Sequence, residues 1–515
     1  MTETNNDSTN WTALIHEAGT KVYDVAARTP LEEAPAISAA LNNRVWLKRE
    51  DLQQVFSFKL RGAYNRIAAL SQQEQQTGVI CSSAGNHAQG VALAASMRGV
   101  PAVIVMPATT PAIKIDAVKR YPVEVVLHGD NYDAAQTRAF DIATERGLTF
   151  IHPFDDPLVI AGQGTIGVEI DEQMDGDIDY LFVPIGGGGL AAGIAASIKQ
   201  SRPGTKIIGV EPEQAASMQA AIQAGAPVTL ARVGNFADGV AVRRVGDLTF
   251  ELCREWLDDI VTVNTDQICA AIRDIFEQTR TMVEPAGALS LAGIKQFVAQ
   301  HEIHEQQIVG INCGANLNFD RLRHIAERAA IGEHREALFA VTIDETPGSF
   351  RSFCQSLGHR NITEFNYRYA RSGHAQLFVG VELNGGLAEQ QQIAADIEQA
   401  GYAAEDLSEN EVAKLHVRHL IGGQAPELTN EKLFRFEFPE RPGALADFLE
   451  AVGERWNISL FHYRNHGSDF GRVLTGIQAD PAEHASLAAH LDTLGFTYWD
   501  ESSNPAFKLF LTPNL

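Results

Sequence analysis

Between about residue 40 and residue 325, short β-branched runs alternate with longer amphipathic stretches, and a Gly or Ser turn separates them. GVICSSAGNHAQGVALAASMRG is one such unit, and YLFVPIGGGGLAAGIAASIKQ is another. Strand and helix in alternation predict a mostly parallel sheet that is covered by helices on both faces. Because ligands of such sheets bind at the carboxyl ends of the strands, the turns that follow strands are the first places to search for a functional site.

A different pattern begins near residue 337 and occurs twice. The segment ALFAVTIDETPGSF and the later segment KLFRFEFPERPGAL match each other at fixed spacing. Each copy is predicted to form a strand, a Pro-Gly turn, a helix and a strand, which is an α+β module used twice. We therefore expect an α/β body over residues 1–330, a junction over 323–337, and modules over 337–425 and 432–515. The matching pairs are Leu338-Phe339 with Leu433-Phe434, Pro347-Gly348 with Pro442-Gly443, and Asn361-Ile362 with Asn457-Ile458.

Composition excludes several classes of protein. A chain of 515 residues with 45% hydrophobic residues can form two or three domains, and a net charge of −24 disfavours nucleic-acid binding. The five cysteines are scattered and form no CxxC pair, which indicates a reducing compartment rather than a disulfide framework or a zinc site. The first ten residues do not have the pattern of a signal peptide, and no apolar run is long enough to span a bilayer. We therefore expect a cytoplasmic protein without membrane segments.

The stretch VFSFKLRGAYNRI places Lys59 between Phe58 and Leu60. Apolar surroundings disfavour the charged form of an amine and lower its pKa, and a neutral lysine is a nucleophile that can form a Schiff base. The alternative is a surface lysine whose stem packs while its amine stays in water. For an isolated lysine the alternative is favoured, so the decision depends on the other motifs. Arg61 is expected to orient the segment through a salt bridge or a backbone contact.

Three further turns follow predicted strands. Gly186–Gly189 lie between the strand YLFVP and the helix LAAGIAASIKQ, where free amides and a helix N-terminus favour an anion such as a phosphate over a merely flexible loop. The turn SSAGNHAQG offers small polar groups and free amides to a bound carboxylate or ring oxygen, although alone it is also consistent with a helix N-cap. NCGAN places Cys313 at a strand end, where a thiol is often only a small buried hydrophobe. EPAGA, residues 284–288, is a weak signal by itself.

Together these motifs make the chain resemble a known family. SFKxRGA, SAGNHAQG, GGGGLAAG and CGAN occur in this order, and the repeated module follows them. In this the chain is similar to the biosynthetic threonine deaminases (threonine ammonia-lyases), which are fold-type II pyridoxal-phosphate enzymes. The resemblance covers nearly the whole chain and implies an α/β catalytic domain like the tryptophan synthase β subunit, made of two lobes, with two C-terminal α+β ACT-like modules.

The resemblance also implies a role for each matching residue. Lys59 would hold pyridoxal 5'-phosphate covalently and act with Ser83 in catalysis. Phe58 would lie against the cofactor ring, Asn86 would bind its 3'-oxygen, and Cys313 would face its pyridine nitrogen. Many family members have serine at this last position. The 5'-phosphate would bind Gly186, Gly187, Gly188, Gly189 and Leu190. The substrate carboxylate would bind Ser83, Ala84, Gly85, Asn86 and His87.

The implied reaction is the conversion of L-threonine to 2-oxobutanoate and ammonia, the committed step of isoleucine biosynthesis. The alternatives are a serine dehydratase of the same fold and an amino-acid sensor that has lost catalysis. Serine racemases resemble the body closely, but they carry a serine where this chain has Ala84. Because alanine carries no proton, Ala84 favours elimination over racemisation.

The resemblance extends to regulation. Isoleucine would inhibit through the ACT-like modules and valine would oppose it, with Gly443, Leu445 and Asn457 near the pocket. A capped turn without a ligand is an equally good interpretation of these residues alone. Such control requires two global states, so a homo-oligomer is expected, and the family suggests a tetramer. Glu211 and Ala215 match positions where related dehydratases bind a cation, but the third position, Ser217, lacks the carboxylate used there, so no required metal is expected.

Overall fold

A computed structural model describes residues 9–344, 352–353, 356–358, 360–367, 374–419, 430–439, 455–464 and 470–511. The chain divides into two compact units, Met1–Phe319 and Asp320–Leu515. Pro347-Gly348 and Pro442-Gly443 of the repeat lie outside the described residues, and so do Gly443 and Leu445 of the predicted regulatory site. No helix in the described part of the chain is both long and apolar enough to cross a membrane.

The first unit contains two sheets. A six-stranded sheet has the order β1-β2-β10-β7-β8-β9, and a four-stranded sheet has the order β5-β4-β3-β6. All neighbouring strands are parallel except β1, which pairs antiparallel with β2. The predicted parallel α/β body is confirmed. The strands are β1 Leu31–Glu33, β2 Arg44–Arg49, β3 Val79–Ser82, β4 Ala102–Met106, β5 Glu124–Leu127, β6 Thr149–Phe150, β7 Tyr180–Pro184, β8 Lys206–Pro212, β9 Asp259–Val263 and β10 Gln307–Asn312.

Helices of the first unit begin and end where the sequence supplies caps. Asn131 and Asp156 accept hydrogen bonds from first-turn amides of two helices, while Gly99 and Gly147 end helices in the left-handed conformation. The helices are α1 Trp11–Gly19, α2 Pro35–Leu41, α3 Lys59–Ala68, α4 Gln72–Thr77, α5 Asn86–Arg98, α6 Ala112–Lys119, α7 Tyr132–Arg146, α8 Pro157–Gln173, α9 Gly189–Ser201, α10 Ser217–Ala224, α11 Asp247–Trp256, α12 Thr265–Thr279 and α13 Pro285–His301.

Glycines allow three of these helices to approach closely. A Cβ atom on Gly193 of α9 would lie 2.4 Å from the Ile160 carbonyl oxygen of α8. A Cβ atom on Gly162 of α8 would lie 2.7 Å from the Arg61 carbonyl oxygen of α3. Because real Cβ atoms do not approach backbone this closely, α8 packs against both α3 and α9 at a distance that only glycine permits.

The second unit repeats one antiparallel fold. Its sheets have the orders β12-β13-β11-β14 and β16-β17-β15-β18, and each middle strand pairs antiparallel with its neighbours. Segment 323–337, the predicted junction, forms most of α14 and the start of β11. The elements are α14 Leu322–Gly332, β11 Glu336–Asp344, β12 Ile362–Tyr367, β13 His374–Glu382, α15 Gly386–Gln399, β14 Ala403–Asp406, α16 Glu411–Leu415, β15 Glu431–Pro439, β16 Asn457–Arg464, β17 Phe470–Gln478, α17 His484–Thr493, β18 Thr497–Asp500 and α18 Pro505–Phe510.

Equivalent residues of the two copies make equivalent contacts. The hydroxyl of Ser408 accepts from the Leu338 amide at 3.0 Å, and the hydroxyl of Ser502 accepts from the Leu433 amide at the same distance. Leu338 and Leu433 also belong to one buried apolar cluster that contains residues of both copies. The repeat that the sequence predicts is therefore a structural repeat, and the two copies share a core.

The α8–α9 contact generates a stability prediction. Gly193→Ala should lower the free energy of unfolding by about 1–3 kcal/mol, because the new methyl group meets backbone that cannot move alone. The measurement is the thermal unfolding midpoint of the purified protein. Gly204→Ala is the matched control, because no heavy atom lies within 4 Å of a Cβ atom built on Gly204. Equal midpoints for the two variants would contradict this account of the packing.

Candidate active site

Two segments from distant parts of the sequence, residues 56–58 and 313–315, pair through backbone hydrogen bonds next to Lys59. The Phe58 amide donates to the Cys313 carbonyl oxygen at 3.2 Å, and the Ala315 amide donates to the Phe56 carbonyl oxygen at 2.8 Å. Phe56 has a φ of 56°, a conformation that bulky residues rarely adopt. These bonds hold Lys59, the next residue along the chain from Phe58, beside Cys313.

Lys59 is the first residue of α3 and points into the first unit. Its Nζ atom donates to the Pro153 carbonyl oxygen at 2.8 Å and lies 5.3 Å from the centroid of the Phe58 ring. Burial lowers the pKa of Lys59 to about 8, although the neighbouring Cys313 and Glu284 oppose the shift. A substantial fraction of the amine is therefore neutral near physiological pH, as the apolar flanks of Lys59 predict.

Asn86 is fixed by hydrogen bonds at both ends of its amide. Its Nδ2 atom donates to Glu284 Oε1 at 2.6 Å, and its Oδ1 atom accepts from Asn316 Nδ2 at 2.7 Å. Glu284 belongs to the EPAGA turn, which is a weak signal in the sequence, and only 4% of its surface is exposed. The structure thus brings a buried carboxylate into the site that sequence reasoning did not include.

Cys313 is a buried thiol at the end of β10. Its Sγ atom lies 3.3 Å from the Ala286 carbonyl oxygen, to which the thiol donates. Burial raises the pKa of Cys313 well above its ordinary value, and the negative charge of Glu284 raises it further. The thiol is therefore protonated and neutral.

The SSAGNH turn lies at the N-terminus of α5. Ser83 Oγ accepts from the Gly85 amide at 3.2 Å, and Ser83, Ala84, Gly85 and Asn86 are all half-buried. His87 is buried, and its Nε2 atom donates to the Ile151 carbonyl oxygen at 2.9 Å. Burial and the Lys59 charge lower the pKa of His87 to about 3, so the ring is neutral and helps to anchor the turn. The first-turn amides of α5 lie at a helix N-terminus, which can bind an anion.

The tetraglycine loop is a cradle that side chains would fill. A Cβ atom would lie 2.9 Å from Val240 Cα at Gly186, 2.2 Å from the Phe154 ring at Gly187, and 2.9 Å from the Phe154 carbonyl oxygen at Gly189. Gly188 has a φ of 95°, which favours glycine. Among the described residues, none accepts a hydrogen bond from the amides of this loop. Unpaired amides at the N-terminus of α9 fit a phosphate group.

The segment HPFDD, residues 152–156, links several of these parts and was missed in the sequence. Pro153 accepts from Lys59, Phe154 packs against the glycine loop, and the Asp155 carboxylate accepts from three amides at the start of α11. Thr249 of α11 in turn donates to the Gly187 carbonyl oxygen at 2.6 Å. The available signal was the position of this segment after β6, at the carboxyl end of a parallel strand.

Glu211, one of the residues that match a cation site of related dehydratases, has other partners. The Glu211 carboxylate accepts from the amides of Met218 and Gln219 at 2.8 and 2.9 Å, and burial raises its pKa to about 7. Within the described ranges, no group of three or more His, Cys, Asp or Glu residues could hold a metal ion. The expectation that no metal is required remains a prediction. Asn457 of the predicted regulatory site is the first residue of β16.

Comparisons with known proteins agree with this geometry. Residues 22–314 match the family of pyridoxal-phosphate dependent enzymes, and residues 327–417 and 422–511 each match the C-terminal regulatory domain of threonine dehydratase. The chain is 54% identical to the biosynthetic L-threonine dehydratase of Burkholderia multivorans over 96% of this chain and 97% of that protein.

Two solved structures resemble the chain over a smaller share of its length. The processed form of threonine deaminase isoform 2 from Solanum lycopersicum is 49% identical with a TM-score of 0.61, covering 64% of this chain and 96% of that one. Maize serine racemase is 35% identical with a TM-score of 0.57, and the match covers 61% of this chain and 95% of that one.

The environment of Lys59 predicts a reactivity profile. In the protein freed of cofactor, reductive methylation of Lys59 should reach half its maximal rate near pH 8, because only the neutral amine reacts. Peptide mass spectrometry at a series of pH values measures the rate, and the exposed Lys119 serves as the internal reference. A Lys59 midpoint above pH 10 would contradict the burial that the structure assigns to this amine.

Proposed function

The chain belongs to the biosynthetic L-threonine dehydratases, which are pyridoxal-phosphate-dependent lyases, and from this premise we propose how its own residues perform the reaction. The protein dehydrates and deaminates L-threonine to 2-oxobutanoate and ammonia. The observation that carries the residue roles is the position of Lys59. The first unit contains its partly neutral amine together with three other features of the site. These are the neutral thiol of Cys313, the fixed amide of Asn86 and the glycine cradle, and hydrogen bonds connect the segments that carry them.

The residues fit the cofactor in three ways. The loop Gly186–Gly189, with Leu190, would hold the phosphate through amides for which the described part of the chain supplies no acceptor. Lys59 would hold the cofactor covalently, and Phe58, whose ring lies beside the Lys59 amine, would cover the cofactor ring. Asn86 and Cys313 would contact the polar atoms of that ring. The chemistry that pyridoxal 5'-phosphate supplies when bound is an electron sink for negative charge that develops at the substrate α-carbon.

Lys59 would move the protons of the reaction. A neutral Nζ atom held close to the substrate can remove the α-proton, and proximity rather than strong basicity then supplies most of the rate. The resulting ammonium group can return a proton to the departing β-hydroxyl. The first-turn amides of α5, together with the turn Ser83–His87, would hold the substrate carboxylate. Ser83 would act with Lys59 on the substrate, and its hydroxyl already accepts from the Gly85 amide.

Cys313 and Ala84 would determine which reaction follows removal of the α-proton. A protonated thiol carries no charge, so it would not enforce a positively charged nitrogen beside it, whereas a carboxylate would. We infer a weaker electron sink, which favours prompt elimination over side reactions of a long-lived carbanion. Ala84 cannot donate or accept a proton on the opposite face of the substrate. Ala84 therefore favours elimination over racemisation, although the fold resembles that of a serine racemase.

A serine dehydratase of the same fold is the second candidate function. The two substrates differ by one methyl group, which is worth only about 1–3 kcal/mol in a pocket, so the relative kcat/KM for threonine and serine separates them. A sensor without catalysis is disfavoured, because Lys59, Asn86 and the glycine cradle are all in place.

The regulatory half completes the proposal. Residues 1–330 would form the catalytic domain, and residues 337–425 and 432–515 would form the ACT-like modules that bind isoleucine as inhibitor and valine as its opponent. Gly443, Leu445 and Asn457 would lie near the ligand. A homotetramer would couple the modules to the sites, and light scattering of the purified protein measures its size. The four described cysteines are all free thiols, which supports a cytoplasmic location.

The central test is formation of 2-oxobutanoate from L-threonine by the purified protein. Lys59→Ala should lower kcat by at least about 10⁴-fold, since it removes both the covalent anchor and the base. Reduction with borohydride followed by peptide mapping should place the pyridoxyl group on Lys59 in the wild-type protein. Wild-type turnover by Lys59→Ala would overturn the assigned roles.

The structural repeat supplies a matched pair for the regulatory test. Asn457→Ala should weaken inhibition by isoleucine about tenfold or more, as the loss of a hydrogen bond to a charged ligand group predicts. Asn361→Ala changes the equivalent position of the other copy and should have a smaller effect. The measurement is the isoleucine concentration that halves threonine turnover. Inhibition that is unchanged in Asn457→Ala would remove Asn457 from the site.

A further inference from the structure

We infer that Arg61 is a positioning residue for Lys59 and acts through a buried network of four charged side chains. The inference rests on the proposed role of Lys59 as anchor and base. The network consists of Arg61, Lys48, Glu50 and Glu169, and it lies on the side of α3 that faces α8 and the end of β2.

Arg61 uses all of its guanidinium donors. Nε donates to Glu50 Oε2 and Nη2 donates to Glu50 Oε1, each at 2.8 Å. Nη1 and Nη2 contact the two oxygens of Glu169 at 2.6 and 3.1 Å. The hydroxyl of Thr165 and the carbonyl oxygen of Ala27 accept at 3.1 and 3.2 Å. Two paired carboxylates fix both the position and the plane of the guanidinium, which a single point charge could not do.

The network is buried, and its formal charges balance. Lys48 donates to Glu169 at 2.6 Å and to the Thr29 carbonyl oxygen at 2.6 Å, so two positive and two negative groups balance. All four side chains are fully buried. Burial alone would lower the pKa of Arg61 and raise that of Glu50, but their mutual attraction shifts both in the opposite directions. Arg61 and Glu50 are therefore both charged, and moving either of them would leave the other unpaired.

Arg61 and Lys59 connect α3 to the same neighbour. Lys59 donates to Pro153, which lies just before α8, and Arg61 binds Glu169 and Thr165 within α8. Between these contacts the helices touch at glycines, because a Cβ atom on Gly62 would lie 2.7 Å from the Val159 carbonyl oxygen. Sliding α3 along α8 would break the Arg61 bonds and move the Lys59 amine away from Pro153. The Arg61 network thus sets the register that places the amine.

A purely structural role is the competing explanation. Buried ion pairs often add no net stability compared with apolar residues of the same size, so four buried charges are poorly explained by stability alone. Directional bonds instead specify one register out of several that apolar packing would permit. Arg61 is two residues from Lys59 on the first turn of α3, where such specification has the greatest effect on the amine.

The test compares Arg61→Lys with Arg202→Lys in the full-length holoenzyme. Arg202 is the matched control, because it also binds α8 and the turn after it, through Asp171 and the Met174 carbonyl oxygen, but at the end far from Lys59. The measurements are the thermal midpoint, the visible circular dichroism of the bound cofactor, and kcat and KM for threonine. The dichroism reports the orientation of the cofactor at Lys59, which a loss of stability alone does not change.

Arg61→Lys should lower kcat by about ten- to a hundredfold with a much smaller change in KM, as a displacement of about 1 Å predicts, and should alter the dichroism. Arg202→Lys should lower only the thermal midpoint. Unchanged dichroism and kcat in Arg61→Lys would overturn the inference.

If Arg61→Lys does not fold, Thr165→Val decides, because it removes one Arg61 partner at constant size. A partial loss of kcat with altered dichroism supports the inference, and wild-type values overturn it. The proposed function is tested separately by the wild-type protein, in which borohydride must fix a pyridoxyl group on Lys59. If borohydride fixes no pyridoxyl group on Lys59, the proposed role of Lys59 is rejected, whatever the Arg61 variants show.

Discussion

The close approach of α3 to α8 is the contact on which the rest of the first unit depends. Two glycines, Gly62 and Gly162, bring the backbones together, and Arg61 binds across the same contact to Glu169. Apolar packing alone is not directional, whereas charged groups removed from water must keep their partners. The glycines supply the closeness, and the charges supply the register that positions the Lys59 amine.

The site itself is assembled from strand ends of both sheets. The Asn86 turn follows β3, the segment 152–156 follows β6, the glycine loop follows β7, and Cys313 follows β10. Parallel strands collect such turns at one edge of each sheet. Short bonds then tie the turns to one another, as between Asn86 and Glu284. A site built from many separate turns can vary one turn at a time, which explains why one fold serves both dehydratases and racemases.

Periodicity and turn residues were sufficient to predict the parallel body and the repeat, and short motifs shared with a known family were needed to single out Lys59, Asn86 and Cys313. Those features are local, because each depends on residues adjacent in sequence. The buried Glu284 and the segment around Phe154 were not predicted, since their importance comes from contacts with residues far away in the chain. Arg61 is intermediate: an arginine beside Lys59 suggested a salt bridge, but its two carboxylate partners, 11 and 108 residues away, could not be identified.

The way this chain would bind phosphate explains why Lys59 can stay partly neutral. A P-loop holds phosphate with a lysine, and that lysine must remain charged. Here the side chains that pack against the glycine loop, Phe154, Met218, Val240 and Thr249, carry no charge, so amides and the N-terminus of α9 supply the positive potential. The Lys59 amine, whose Nζ donates to the neutral carbonyl oxygen of Pro153, would then not be needed as the counter-ion of the phosphate. Separating anion binding from base chemistry leaves its pKa to be set by burial, which lowers it towards physiological pH.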